Sequence, residues 1–354
     1  MIGRIAGIAC VFAVRAALAG DEGAAGFNGA CMSNGLWTGA VVMSGTGDRV
    51  LFKQAWGWMD KKRTLPMRED AVFDLASVTK AIGATTALAL CIDRGWICPD
   101  SAFTNYLPEY KATLREPVTV RDLARHLSGF NNSKAYDQGG QVVERILQFS
   151  PVRAPGEPYE YACCNYILLG LIAERASGKR IDAFCDEQVF GPLGMRDTRW
   201  APLPDPDPKR VVRQAVTGTL GVASDPPARH AGRPLGNAGL FSTAPDLSAF
   251  CRMVLAGGMC GDKRIFSEKA LQLLGTRPDA RSPVAFGWRT DPSFNPPSLS
   301  ASAMSHTGWA GHSVWIDSVK QRYVVVLTNR SGDHEQASKA RIELAERVLR
   351  ETGL

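Results

Sequence analysis

Short β-prone runs stand at both ends of this chain, and helical patterns fill the stretch between them. Trp37 to Met43 and Val50 to Trp58 flank Ser44-Gly45-Thr46-Gly47-Asp48, which reads as a hairpin with a glycine-rich turn. Ser313 to Asp317 and Tyr323 to Asn329 repeat the pattern near the C-terminus, around a polar turn at Ser318 to Gln321. A single strand pair cannot bury its apolar face alone. The arrangement therefore implies one antiparallel sheet assembled from both termini, flanked by helices, with a mostly helical lobe inserted: an α/β (α+β) architecture. The chain has 354 residues, 45% of them hydrophobic, enough for a large core. Charged residues make up 21% and form no low-complexity tract, which argues against disorder.

The helical middle is punctuated clearly. Thr79 to Asp93 is alanine-rich and ends before Gly95. Val118 to Leu127, Tyr166 to Ser177 and Ile181 to Val189 follow, the second stopped by Gly178. Asp246 to Leu255 opens on an acid that suits the helix dipole, and Glu335 to Leu349 reads as a closing helix. Four prolines mark Pro202 to Pro208 as a loop.

The N-terminus reads as a secretory signal. Met1 to Arg4 supply a basic start, Ile5 to Val14 an apolar core, and Ala17-Leu18-Ala19 a small-residue cleavage site before Gly20. The alternative is an N-terminal helix of the mature protein. The first reading makes the chain exported, periplasmic or secreted in a bacterium. Residues 1–19 are then the signal peptide and 20–354 one domain. Its α/β lobe spans about 27–95 and 285–354, its helical lobe about 96–284. No later run is long and apolar enough for a membrane span, so no integral membrane segment is expected after cleavage. The net charge of +6 falls when Arg4 and Arg15 leave, and no dense Lys/Arg tract with interleaved aromatics points to nucleic acid.

Eight cysteines remain after cleavage, an even number that permits disulfides in an exported chain. Cys91 with Cys98 and Cys251 with Cys260 are the pairs that flank helix exits; buried free thiols are the alternative. The absence of Cys-x-x-Cys and His-x-x-x-His spacings argues against zinc.

The chemistry concentrates in Ser77-Val78-Thr79-Lys80, just before the Thr79 to Asp93 helix. A serine three residues ahead of a lysine at a helix start puts hydroxyl and ammonium one turn apart on one face. The lysine can then take or relay the serine proton and make the hydroxyl a nucleophile. Read in isolation, Ser77 serves as a helix cap as readily as a nucleophile. Two further features stand behind it in order: Tyr161-Ala162-Cys163, after Pro155-Gly156-Glu157-Pro158, and Ser305-His306-Thr307-Gly308-Trp309.

With these three motifs the chain resembles the β-lactamase-related serine hydrolases: class C β-lactamases, D-alanyl-D-alanine carboxypeptidases and family VIII esterases. The resemblance spans Trp37 to Asn329 and includes Asn165-Tyr166-Ile167-Leu168-Leu169-Gly170 and Ala238-Gly239-Leu240-Phe241-Ser242-Thr243. It implies that Ser77 attacks a carbonyl, that Lys80 holds or accepts its proton, and that Tyr161 helps move protons to and from the serine. His306, Thr307 and Gly308 would line the site as the substrate-binding strand. The backbone N–H groups of Ser77 and Trp309 would form the oxyanion hole, each donor worth about 3–4 kcal/mol in the transition state. The substrate would be a small molecule or peptide, a cell-wall peptide among them. The route needs no metal or organic cofactor.

Two residues depart from the family pattern. Cys163 stands where an asparagine is expected, and a thiol is a poor substitute for an amide. His306 stands where β-lactamases carry lysine, which removes a fixed positive charge. Both count against an efficient β-lactamase and favour a D-amino-acid peptide or small ester. They also leave open a catalytically weak relative that binds wall fragments or β-lactams as a sensor or scaffold. Asn165 is the neighbouring amide able to replace the one missing at Cys163. Asp225 reads as a turn cap, and His126, His230, His312 and His334 as structural or surface residues. Substrate choice falls to the loops around Phe130 to Gly140 and Pro278 to Pro297.

Overall fold

The computed structural model describes residues 23–137, 139–156 and 158–354. The expected signal peptide, residues 1–19, lies outside the described residues. Helix α1 (Ala24–Ser33) leads into the hairpin of β1 (Trp37–Thr46) and β2 (Val50–Gly57). A short strand, β3 (Phe73–Asp74), precedes a π-helical turn at Lys80–Thr85 that runs on as α2 (Thr86–Asp93). The middle supplies α3 (Val120–Ala124), α4 (Val142–Ile146), α5 (Cys163–Ser177) and α6 (Ile181–Cys185). Then come β4 (Arg199–Trp200), α7 (Pro226–His230), β5 (Leu240–Ser242) and α8 (Ala244–Leu255). A two-strand ribbon, β6 (Met259–Cys260) with β7 (Lys263–Arg264), and α9 (Glu268–Gly275) lead to β8 (Met304–Gly308). The chain ends with β9 (His312–Asp317), β10 (Arg322–Arg330) and α10 (His334–Glu351).

The main sheet runs β2-β1-β10-β9-β8, every neighbour antiparallel, so its strands come from both ends of the chain as the sequence pattern requires. Both faces are covered, which explains why β10 is apolar at successive positions rather than alternately. Val324 and Val326 point to one face, where α1 and α10 close a core with Trp37 and Trp315. Tyr323, Val325 and Leu327 point to the other, against the main core that holds α2, α5 and α8. A fully buried valine or leucine there contributes about 1.5–3 kcal/mol. Helix α5 is buried from Cys164 to Ala173 and stops at Gly178, whose φ of 68° is the left-handed conformation of a helix C-cap.

A second sheet, β3-β5-β4, positions the site. Phe73 pairs with Ser242 and Asp74 with Phe241, so residues 237–242 lie beside the approach to Ser77. Among the described residues no helix is long and apolar enough to cross a membrane. The eight cysteines from Cys31 to Cys260 are all unpaired, so neither Cys91–Cys98 nor Cys251–Cys260 is a disulfide. Cys91 and Cys251 are buried as free thiols in the apolar core.

Candidate active site

The backbone before Ser77 is tightly held. Asp74 is buried; one carboxylate oxygen accepts the Ala76 N–H at 3.0 Å and the other the Ser224 N–H at 2.7 Å. Its carbonyl meets His312 Nε2 at 2.7 Å. Ala76 has a φ of +46°, a left-handed conformation unusual for a residue with a side chain. Gly308 of β8 packs against this bend: a Cβ there would lie 2.5 Å from the Leu75 carbonyl, so the position admits only glycine.

From Ser77 the chain enters the π-helical turn, a form that recurs at functional sites. The turn carries Lys80 inward, where its side chain is wholly buried. Its Nζ donates to Ser77 Oγ at 3.2 Å, to the Asn237 carbonyl at 2.9 Å and to Cys163 Sγ at 3.5 Å. An ammonium has three donors, and here each finds an acceptor. Ser77 itself is half-buried and lines a cavity of about 260 Å³.

Tyr161 completes the cluster. Lys80 Nζ lies 4.9 Å from its ring centroid, and the phenol interacts with the side chains of both Lys80 and Ser77. Asn132 fixes the segment: its Nδ2 donates to the Tyr161 carbonyl at 3.1 Å, and its Oδ1 accepts the Cys163 N–H at 2.7 Å. The His126 ring lies against Tyr161, centroids 4.6 Å apart. His126 Nδ1 accepts the Ala162 N–H at 3.1 Å, which places the proton of the neutral ring on Nε2.

The electrostatics follow from burial. Burial disfavours the Lys80 ammonium, but the anionic forms of Cys163 and Tyr161 favour it, and the net direction is upward. Burial raises the Tyr161 and Cys163 pKa values above their ordinary range, against the opposing pull of Lys80. The resting cluster is therefore an ammonium beside a neutral phenol and a neutral thiol. Burial, with the Lys80 charge second, pushes the His306 pKa down to about 3, and His126 is likewise held neutral.

The structure thus brings Ser77, Lys80, Tyr161 and Cys163 together, with His306 and Thr307 on the cavity wall and Trp309 at its edge. Trp309 is 43% exposed, and its ring rests on the Arg330 guanidinium, 4.3 Å from the ring centroid. Among the described residues the Ser77 and Trp309 N–H groups donate to no protein acceptor. Asn165 does not replace the missing amide: it is buried, bonded to Ser128 Oγ at 2.7 Å and to His126 at 3.1 Å. Asp225 is a cap, accepting the Ala228 N–H at 3.0 Å.

Sequence reasoning missed three wall residues, Tyr159, Arg289 and Phe294, and the Asn237 backbone carbonyl that accepts from Lys80, and it set His126 and His334 aside although both line the cavity. Arg289 and Phe294 come from the 278–297 loop, whose importance was legible. Arg289 stacks on Phe294 at 3.9 Å, interacts with Tyr159 and pairs with Asp291 at 3.7 Å. Together the groups offer a positioned hydroxyl, a proton relay, two free N–H donors and a cation: the parts for acyl transfer.

The profile of the family described as Beta-lactamase matches residues 30–349. A protein of Escherichia coli (strain K12) named for D-alanyl-D-alanine carboxypeptidase activity is 27% identical over 331 residues, covering 80% of this chain and 76% of its own length. An N-acetylmuramyl-L-alanine amidase of Bacillus subtilis (strain 168) is 28% identical over 340 residues, covering 82% and 77%. Among solved structures, EstCE1, a hydrolase with promiscuous acyltransferase activity, superposes with a TM-score of 0.75 at 20% identity, over 92% of this chain and 96% of its own. The octameric penicillin-binding protein homologue from Pyrococcus abyssi gives 0.74 at 21% identity, over 92% and 76%.

Proposed function

The chain belongs to the Beta-lactamase family, whose members are serine hydrolases, and from that premise we propose an exported enzyme in which Ser77 forms an acyl-enzyme with an amide or ester. The observation that carries the reading is Ser77 Oγ 3.2 Å from the buried Lys80 Nζ, with the Tyr161 phenol engaging both. Loss of one proton from the Lys80–Tyr161 pair creates the base. Ser77 Oγ then bonds to the substrate carbonyl carbon and its proton passes to the pair. The carbonyl oxygen takes the developing charge against the Ser77 and Trp309 N–H groups. The pair returns the proton to the departing amine or alcohol, and water releases the acyl group by the same steps in reverse.

The substrate is read as a D-amino-acid peptide or small ester before a β-lactam. His306 is neutral, so it offers no fixed charge, whereas Arg289 on the same wall suits a carboxylate such as a peptide C-terminus. His306 and Thr307 would present the strand edge to the substrate, and Cys163 would touch it beside Lys80. The amidase and carboxypeptidase relatives support a cell-wall peptide, and EstCE1 keeps esters in view.

The test is a fluorophosphonate adduct mapped by mass spectrometry, with turnover of a D-Ala-D-Ala peptide, a nitrophenyl ester and a chromogenic cephalosporin. An adduct on Ser77 with peptide or ester turnover is expected. No adduct and no turnover overturns the proposal. For export, N-terminal sequencing of the protein in its native cell should begin at Gly20; an intact N-terminus in the cytosolic fraction overturns that part.

A further inference from the structure

We propose that Arg330 is a positioning residue for the oxyanion hole: its guanidinium clamps the turn that carries the Trp309 N–H. The proposal rests on the reading of Ser77 and Trp309 given above. Strands β8 and β9 are joined by a turn from Gly308 to Gly311, in which Gly311 N donates to the Gly308 carbonyl at 2.9 Å. That carbonyl shares one planar peptide unit with the Trp309 N–H and points the opposite way, so this bond sets the direction of the donor. The rest of the turn is held from β10. Arg330 N donates to the Ala310 carbonyl at 3.2 Å. Thr328 N and Oγ1 donate to the Gly311 carbonyl at 3.0 and 2.6 Å. The Trp309 carbonyl is held instead by a side chain: Arg330 Nε donates to it at 2.7 Å.

The guanidinium stands on a fixed platform. Its Nη1 donates to the Gly332 carbonyl at 2.8 Å. Ser331 N and Gly332 N both donate to the Leu36 carbonyl, at 3.0 and 3.1 Å, so Arg330 ties the turn to the start of β1. The Trp309 ring lies on the guanidinium face. Holding the Trp309 carbonyl and ring together fixes its Cα, and with it the nitrogen that Gly308 aims. The cation is kept at a cost. Arg330 is 5% exposed, its Nη2 is buried without a partner, and burial lowers its pKa, which Asp333 offsets only in part. An apolar residue would avoid that cost. What it would lack is the planar fork that meets two carbonyls and a ring at once. The backbone bond to Ala310 survives a change of side chain at 330; the side-chain bonds do not.

The test uses the full-length mature protein with Arg330→Leu and Arg330→Lys. In both, kcat for a nitrophenyl ester should fall about 10- to 100-fold with KM within about 2-fold of wild type. The second readout is the same ester with sulfur in place of the carbonyl oxygen, a poorer hydrogen-bond acceptor. A misaligned hole loses its advantage for oxygen, so the ester-to-thionoester rate ratio should drop about 5-fold or more in both variants. General loosening of the fold slows both substrates alike and leaves the ratio where it was. An unchanged ratio in the variants overturns the proposal. So does a wild-type kcat in Arg330→Lys, which would show that a point charge without the fork suffices. If Arg330→Leu does not fold, Arg330→Lys decides alone. If the wild-type protein never acylates at Ser77, the serine-hydrolase reading fails by itself. Hydrogen exchange at the amides of residues 309–311 then decides this proposal: faster exchange in the variants keeps the clamp, and unchanged exchange overturns it.

Discussion

Two serines of this chain stand at helix entries and do opposite things. Ser267 precedes α9; its Oγ accepts the Ala270 N–H at 3.1 Å and donates to Asp93. Ser77 precedes the Lys80–Thr85 turn, yet its side chain caps nothing and faces Lys80 Nζ. The difference arises upstream. Ser267 sits in extended backbone with a φ of −73°, a common cap geometry. Ser77 follows Ala76 in the left-handed region, and that bend keeps its hydroxyl from the helix N–H groups and turns it toward the cavity. A serine at a helix start is a cap by default. It becomes available for chemistry when the backbone before it is bent away from capping.

The contrast is broken most sharply at Ser77. Ser77→Ala should lose the fluorophosphonate adduct and lower ester turnover on the order of 10⁶-fold, with a melting temperature near wild type. A residual rate close to wild type removes Ser77 from the chemistry. Next come the proton carriers: Tyr161→Phe and Lys80→Met should each slow acylation by about 10²- to 10⁴-fold in single-turnover measurements. A wild-type rate in Tyr161→Phe would refute its role.

The pH profile sharpens the comparison further. The pKa values of Lys80 and Tyr161 both lie above their ordinary values, so the base form is scarce at neutral pH and grows as pH rises. Expected is a kcat/KM for the ester that rises continuously from about pH 6 to about pH 9. His306, pushed down to about 3, and His126, also held low, stay neutral throughout and add no step near the ordinary histidine value. A step near pH 6.5 that disappears in His306→Gln would show instead that this histidine titrates in the working range.

The outcome of the sequence reading follows the same division. Ser77, Lys80, Tyr161 and the 306–308 strand were legible because each motif is local and its chemistry is set by spacing. So was the sheet from both termini, through the apolar runs of β1, β2, β9 and β10. What stayed hidden depends on long-range register. Arg289 reaches the wall through its bridge to Ser305, and the Asn237 carbonyl reaches Lys80 through the docking of β5 on β3. No spacing in the chain announces either. Helix α1 escaped because its small residues give little apolar periodicity, although Phe27 and Cys31 are buried. The π-helical turn escaped because its local pattern reads as an ordinary helix.

Smaller effects test the cap and the bend. Ser267→Ala should cost about 1 kcal/mol, a fall of about 1–2 °C in melting temperature, with ester turnover untouched. A loss of turnover there would tie α9 to the site and blur the distinction between the two serines. Ala76→Gly is the finest test. The left-handed backbone costs a residue with a side chain about 1–2 kcal/mol, and glycine removes that strain. Glycine also brings about 0.5–1 kcal/mol of extra chain entropy to the unfolded state. The balance is a stabilisation of about 0–1.5 kcal/mol. If the bend is what aims Ser77, the freer backbone should at the same time lower kcat by a few-fold, because the hydroxyl is no longer held in one direction. A variant that melts lower than wild type would show that Ala76 is not strained. One that is stabilised with kcat intact would show that Asp74 and Gly308 hold Ser77 in line without the strain.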